Sequence, residues 1–139
     1  MTSPPETIPP ASLSMRFGAA GAMLGFLGVA AGAFGTHAVR ATMPPALMTA
    51  YETAARYQLI HAVAIVVVAL AVERIASRGL VMAGGLFIAG IVLFSGSLYA
   101  LALTGQTFWG MVTPFGGLSF LIGWLCLAAG FAGRRREAA

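Results

Sequence analysis

Four long apolar stretches alternate with short polar segments along the chain, at residues 17–35, 53–72, 80–103 and 114–132. A helix needs about 20 mostly apolar residues to cross the hydrocarbon layer of a bilayer. A helix also satisfies its own backbone hydrogen bonds in lipid. The pattern therefore predicts an all-α integral membrane protein, a four-helix bundle with up-down topology.

The apolar pattern divides the chain into three parts: a flexible Pro-rich N-terminal tail at residues 1–15, a four-helix transmembrane domain at 16–133 and a basic tail at 134–139. The first apolar stretch follows one arginine, as in a secretory signal. It is longer than the roughly 7–15 residues of a signal core. We therefore expect an uncleaved first helix.

Composition supports a membrane location, because 59% of the residues are apolar and only 9% are charged. A soluble domain of this size could not bury so much apolar sequence. The net charge of +4 comes from arginines, most of which flank the spans and suit anionic lipid head groups. The lipid bilayer is the predicted partner, and nucleic acid is not.

The arginines also predict the orientation, since short loops rich in Arg stay in the cytoplasm. With four spans, six of the eight arginines share one side of the membrane with both termini. The opposite side holds Arg40, Arg56 and an uncharged third connection at residues 105–112. This distribution predicts N-in/C-in topology.

The first span carries six glycines at alternating spacings of three and four, which places them on one helix face. Such a stripe lets helix backbones approach closely in lipid. We expect the first helix to pack through this stripe and to lie at the centre of the helix contacts. The stripe consists of Gly18, Gly21, Gly25, Gly28, Gly32 and Gly35.

Local signals predict where three helices begin. Ser14 is a candidate N-cap of the first helix. Pro44 and Pro45 close the first outer connection and can open a helix that runs into the second span. Thr113 and Pro114 resemble the hydroxyl cap and first-position proline of the fourth helix.

The second span brings polar groups into the membrane, because its purely apolar run, residues 62–72, is too short to cross. Glu52 and Arg56 stand four residues apart in the favourable order, so we expect a partly buried ion pair near His61 and His37. Polar residues also mark the outer ends of the other helices. The candidate outer-half cluster comprises His37, Arg40, Glu52, Arg56, Tyr57, Gln58, His61, Ser95, Ser97, Tyr99, Thr104 and Thr113.

Four strings in these regions resemble the YgdD family of small four-span membrane proteins, also described as domain of unknown function 423 and as the transmembrane protein 256 family. The resemblance covers roughly residues 15–133, with Thr36 where the family more often has alanine. It implies a four-helix, multi-pass protein of the bacterial inner (plasma) membrane and carries over no catalytic residues. The strings are GAFGTHA at 32–38, YETA at 51–54 with YQ at 57–58 and HA at 61–62, LFSGSLY at 93–99 with LTG at 103–105, and TPFGG at 113–117 with GW at 123–124.

Two functions of different classes remain open. The first is an accessory, assembly or stabilising subunit of a larger membrane complex, or a homo-oligomer, which needs only helix-packing faces. The second is binding of a haem, quinone or ion in the outer half, with His37 and His61 as axial haem ligands or as part of a quinone pocket.

Other functions find less support in the sequence. A copper or other soft-metal site that combines His37 with Met43 or Met48 lacks a defined geometry. Transport needs a polar path through both leaflets, and the inner half is apolar. The sequence shows no catalytic motif and no aspartate, so we predict a non-enzyme with no cofactor and no metal.

Overall fold

The computed structural model describes the backbone of residues 10–137 and the side chains of residues 13–133. Residues 1–9 of the predicted flexible tail lie outside the described part. The described chain forms five α-helices and two π-helical segments. The α-helices are α1 (Pro10–Phe34), α2 (Pro45–Val72), α3 (Arg78–Gly90), α4 (Gly96–Thr104) and α5 (Trp109–Glu137), and the π-helical segments are Gly35–Val39 and Ile91–Ser95.

Four continuous helical stretches are long and apolar enough to cross a membrane, as the hydrophobic pattern predicts. The π-helical segments continue α1 and join α3 to α4, so seven elements make four spans. Each span exceeds its predicted apolar core, because the residues that flank each apolar stretch are helical as well. The spans are Leu13–Val39, Pro45–Val72, Arg78–Thr104 and Trp109–Gly133.

The terminal segments differ from the sequence prediction. Helix α1 begins at Pro10, so residues 10–15 are helical, and Ser14 lies inside the helix. Ser14 is therefore not an N-cap; its hydroxyl donates to Glu73 Oε1 at 2.7 Å. Helix α5 continues to Glu137, so the predicted boundary at residue 134 falls within a helix.

The predicted start of the fourth helix, with Pro114 at its first position, is also wrong. Gly105, at φ 68°, ends α4 in the left-handed conformation that glycine adopts without strain. Helix α5 then begins at Trp109, so Pro114 lies inside it. By contrast, α2 does begin at Pro45, with Pro at the first helical position.

The second span, not the first, occupies the centre of the packing. Helix α2 packs on α1 and on the span formed by α3 and α4, and that span also packs on α5. In an apolar 18-residue stretch of each span, 56% of the residues are buried in the second span and 17% in the first. Helix α1 is thus an edge helix.

The apolar core lies between α2 and α3. Its largest fully buried side chains are Ile65 and Val68 on α2 and Leu80 and Phe87 on α3. Phe17 joins this core near the start of α1, where its ring lies over Gly84. The core fixes how the polar side chains on these helices face one another.

Candidate functional site

An ion pair lies at the end of the bundle where the first two spans are connected. The Arg40 guanidinium lies 2.8 Å from Glu52 Oε1, across the connection between the first and second spans. Arg56 is exposed, and the salt bridge of Glu52 is with Arg40, so the expected Glu52–Arg56 pair is wrong. The side chains of Arg40 and Glu52 are 63% and 42% exposed, which makes this a surface contact.

Two polar side chains of α2 bind the backbone of α1. The Tyr51 hydroxyl donates to the carbonyl of Ala31 at 2.9 Å. About two helical turns further along α2, the Gln58 amide donates to the carbonyl of Leu24, also at 2.9 Å. Gln58 belongs to the predicted cluster and Tyr51 does not, and both connect helices within the chain.

A similar connection joins the third and fourth spans. Ser97 Oγ and Thr113 Oγ1 lie 2.8 Å apart, and the Ser119 hydroxyl donates to the carbonyl of Leu86 at 2.8 Å. Thr104, in contrast, donates to Ala100 of its own helix. These hydroxyls thus bind a neighbouring helix or their own backbone.

The structure separates the two histidines. The close contacts of the α1 glycines place Gly18 level with Ala69 and Gly25 level with Ala62, so α1 and α2 are antiparallel in a fixed register. In that register His37 lies level with residue 50, which is 11 residues from His61. At 1.5 Å per residue this is about 17 Å along the helix axes, which is too far for both to ligate one haem.

His61 is buried near the middle of α2 with both ring nitrogens engaged. Its Nδ1 lies 2.8 Å from the carbonyl of Tyr57, and the Trp124 indole N–H donates to its Nε2 at 3.2 Å. Because a carbonyl only accepts, Nδ1 carries the hydrogen and Nε2 accepts, as in a neutral imidazole. The ring also stacks on Phe120 with a centroid distance of 3.5 Å.

Sequence reasoning missed Trp124 and Phe120 as partners of His61. They stand 63 and 59 residues away along the chain, and no local spacing connects them to α2. The Tyr57–His61 spacing is the only local signal, and those rings stack at 6.0 Å. Contacts that depend on how helices pack cannot be obtained from a helical period alone.

Two buried hydroxyls of the third span have no hydrogen-bond partner among residues 13–133. They are Ser95 Oγ and Tyr99 Oη. The residues stand four apart, so they share a helix face, and the Tyr99 ring meets Tyr51 edge-on at 5.1 Å. Among the described residues, no group of three His, Cys, Asp or Glu could hold a metal ion.

Most of the glycine stripe of α1 faces α2. A Cβ on Gly21 would lie 2.8 Å from Val66 Cγ2, and one on Gly28 would lie 2.9 Å from Leu59 Cδ2. Gly35 lies against the Tyr51 ring, whereas a Cβ on Gly32 would meet nothing within 4 Å. Gly18 and Gly25 approach α2 at ordinary contact distance.

Four apolar helical spans, joined by polar contacts between them, define a multi-pass membrane protein. Residues 31–117 match the family described as "Protein of unknown function (DUF423)". Curated relatives named UPF0382 membrane proteins match over most of their length. The chain belongs to this family, as the sequence strings predicted.

Three relatives show the extent of the match. The UPF0382 inner membrane protein YgdD of Escherichia coli is 41% identical over 84% of this chain and 88% of its own length. YwdK of Bacillus subtilis is 40% identical over 77% and 88%. A UPF0382 membrane protein of Staphylococcus epidermidis is 41% identical over 77% and 87%. No solved structure matches this chain.

These names, together with the four spans, support the predicted location in the bacterial inner membrane. They assign no enzymatic activity to the relatives that carry them. The names of the relatives and the four apolar spans therefore agree on a membrane location.

Proposed function

We propose that the chain is an accessory, assembly or stabilising subunit of a larger complex in the membrane, without catalytic activity of its own. The observation that carries this proposal is the position of α1 at the edge of the packed helices. Its glycine face lies against α2, while large side chains such as Phe26 and Val29, 67% and 62% exposed, point away from the molecule. An edge helix of this kind can pack against another membrane protein.

The contacts between the spans support the same proposal. In lipid, small residues and interhelical hydrogen bonds hold helices together, since lipid tails compete for apolar contacts. The glycines of α1 and the bonds from Tyr51 and Gln58 supply both for one helix pair. A unit stabilised internally in this way can offer its outer surface to a partner.

We further propose that both termini face the cytoplasm. The Ser14–Glu73 contact places the start of α1 beside the end of α2, and Arg16, Arg74 and Arg78 are near this end. Helix α5 ends there as well, because Gly130 packs on Leu80 at the start of α3. The positive-inside rule then puts this end in the cytoplasm.

The alternative proposal from the sequence, a cofactor in the outer half, loses its ligand pair. His37 and His61 are separated by about 17 Å in the register of α1 and α2, and both nitrogens of His61 are already bonded. Tyr51, Gln58 and Ser97 likewise bind other helices. The outer polar residues therefore support the packing role better than a haem site.

Purification of the full chain from its bacterial membrane in a mild detergent such as digitonin tests the accessory role. A tagged chain should elute in a complex larger than a single chain, with another membrane protein in stoichiometric amount. Replacing Phe26 and Val29 with alanine should reduce this co-purification, since both side chains lie on the exposed face of α1.

A matched pair on α5 provides the control. Leu118 and Leu125 are 54% and 70% exposed, and their replacement by alanine should leave the complex intact. A wild-type chain that elutes alone as a monomer would rule out the accessory role. Equal loss with both pairs would show that α1 is not the docking face.

A further inference from the structure

A groove faces the lipid between α2 and α5, both of which pack on the third span. It has a volume of about 320 Å³ and lies beside the middle of α2. Its base is formed by His61 and Phe120, both nearly fully buried. Tyr57 and Trp124, 39% and 45% exposed, line the groove.

The lining of this groove is unusually aromatic for a surface that meets lipid tails. Tyr57 packs on Phe94 with a centroid distance of 4.6 Å, and the Phe120 ring contributes a second aromatic face next to His61. Aromatic rings gain stacking energy of about 0.5–1.5 kcal/mol per pair beyond area burial. A flat ring can use such walls, whereas a saturated acyl chain cannot.

One polar group in the groove is left for a ligand. Both nitrogens of His61 are engaged, while among residues 13–133 the Tyr57 hydroxyl has no hydrogen-bond partner. An unpaired hydroxyl in a hydrocarbon environment is costly. A phenol donates to a carbonyl oxygen, so the chemistry favours a ligand that carries one.

The size of the groove also limits what can occupy it. A volume of about 320 Å³ falls at the lower end of small-molecule sites, roughly 300–1,000 Å³. A partner helix is about 10–12 Å across, and the backbone carbonyls of its interior turns are already hydrogen-bonded. They cannot accept a hydrogen bond from the Tyr57 hydroxyl, so a helix suits the groove less well than a small molecule.

A second, almost wholly apolar groove continues from the first and shares Trp124 with it. It holds about 410 Å³ between Ile60, Val63 and Leu127. Together the two grooves offer an aromatic compartment with one hydrogen-bond donor, followed by an aliphatic compartment. This order matches a ring with a hydrocarbon tail.

We propose that the paired grooves bind a lipid-soluble molecule with a planar, carbonyl-bearing ring and a hydrocarbon tail, the chemistry of a quinone. The ring lies between Tyr57 and Trp124, and the Tyr57 hydroxyl donates to a ring carbonyl. The tail follows the apolar groove along α2. This binding site is independent of the accessory role, since it does not use the exposed face of α1.

Trp124 fluorescence tests the proposal on the full chain. The chain has two tryptophans, and a Trp109→Phe background leaves Trp124 as the reporter. Decylubiquinone titrated into the reconstituted protein should quench this fluorescence along a saturable curve. Tyr57→Phe should raise the half-saturating concentration about fivefold, as expected for one hydrogen bond of about 1 kcal/mol.

Gly117→Leu fills the groove, because Gly117 lines it and a Cβ there would meet the Phe94 ring only at 3.8 Å. It should raise the half-saturating concentration at least tenfold. Gly85→Leu is the matched control, since a Cβ at Gly85 meets nothing within 4 Å and Gly85 lies outside the groove. If Gly117→Leu fails to fold, the Tyr57→Phe titration decides.

Two results would overturn the proposal. Quenching that rises linearly without saturation, and equally in wild type and Tyr57→Phe, would mean that acyl chains occupy the groove. A dimer in detergent that Gly117→Leu converts to a monomer, with no saturable quenching in wild type, would assign the groove to a second copy of the chain.

Discussion

The buried polar residues of the second span are stabilised by carbonyls and rings rather than by charges. Gln58 and Tyr51 donate to carbonyls of α1, and His61 is held between Tyr57 and Trp124. Each of these bonds removes the penalty of an unpaired polar group in lipid. Their joint effect is to fix which faces of the helices meet.

The pairing of Glu52 with Arg40 can be tested by mutation. Glu52→Gln and Arg40→Gln should show a coupling of about 0.2–1 kcal/mol in a double-mutant cycle, the range for exposed ion pairs. The same cycle with Arg56→Gln should show none, because Glu52 pairs with Arg40. Unfolding free energies measured in mixed micelles provide the values.

A larger coupling to Arg56 than to Arg40 would contradict the observed pair. The sequence favoured Arg56 because four-residue spacing on a helix is a local rule. Arg40 comes close only through the turn between the first two spans, residues 40–44, which no helical period describes. The sequence therefore could not predict a side-chain pair that forms across a turn.

At the scale of elements, the glycine stripe determines how closely α1 approaches α2. Gly21 and Gly28 leave no room for a side chain, whereas Gly32 faces open space. The two helices pack along their length because small residues let the backbones approach. The stripe itself was visible in the sequence, but the exception at Gly32 was not.

Leucine substitutions along the stripe should separate these positions. Gly28→Leu should destabilise the protein by about 1–3 kcal/mol, the usual cost of overpacking, because Leu59 occupies the space. Gly32→Leu should change stability by less than about 0.5 kcal/mol, as an exposed substitution does. Melting temperatures in detergent measure the difference, and equal losses would place the stripe against lipid.

The hydrophobic pattern predicted the four spans because lipid demands long apolar helices. Helix starts were less predictable. Pro45 does begin α2, but Pro114 is tolerated inside α5. Proline has no backbone N–H, so Pro114 leaves the carbonyl of Gly110 without its helical hydrogen bond. Gly110 lies in the first turn of α5, close to the solvated helix end. Proline alone therefore did not mark the start.

At the scale of the whole molecule, α2 and the third span form the middle, and α1 and α5 flank them. The sequence suggested a central first helix, since a long glycine stripe implies close packing. A stripe shows that one face is packed and leaves open how many neighbours share it. The central position of α2 follows from its buried apolar residues on more than one face, such as Ala62 and Ala64, which stand two apart.

Orientation in the membrane is tested by accessibility. In a Cys126→Ser background, Thr2→Cys and Gln106→Cys should react with an impermeant thiol reagent from opposite sides. The reason is the arginine distribution, six on one side and two on the other. Labelling of Thr2→Cys from outside intact cells would contradict the N-in assignment.

The register of α1 against α2 is the central claim, since it sets the interhelical bonds and separates the two histidines. A Cβ on Gly18 would lie 3.8 Å from Cβ of Ala69, and one on Gly25 would lie 3.9 Å from Cβ of Ala62. Both distances suit a disulfide, for which about 3.5–4.5 Å is usual. Gly32 with Ala69 serves as a mismatched control pair.

Oxidative cross-linking of cysteine pairs in a Cys126→Ser background measures this register. The pairs Gly18→Cys with Ala69→Cys and Gly25→Cys with Ala62→Cys should each form a disulfide within one chain, detected as a reducible shift in electrophoretic mobility. Gly32→Cys with Ala69→Cys should form none. Cross-linking of the control pair alone, or only between chains, would contradict the register.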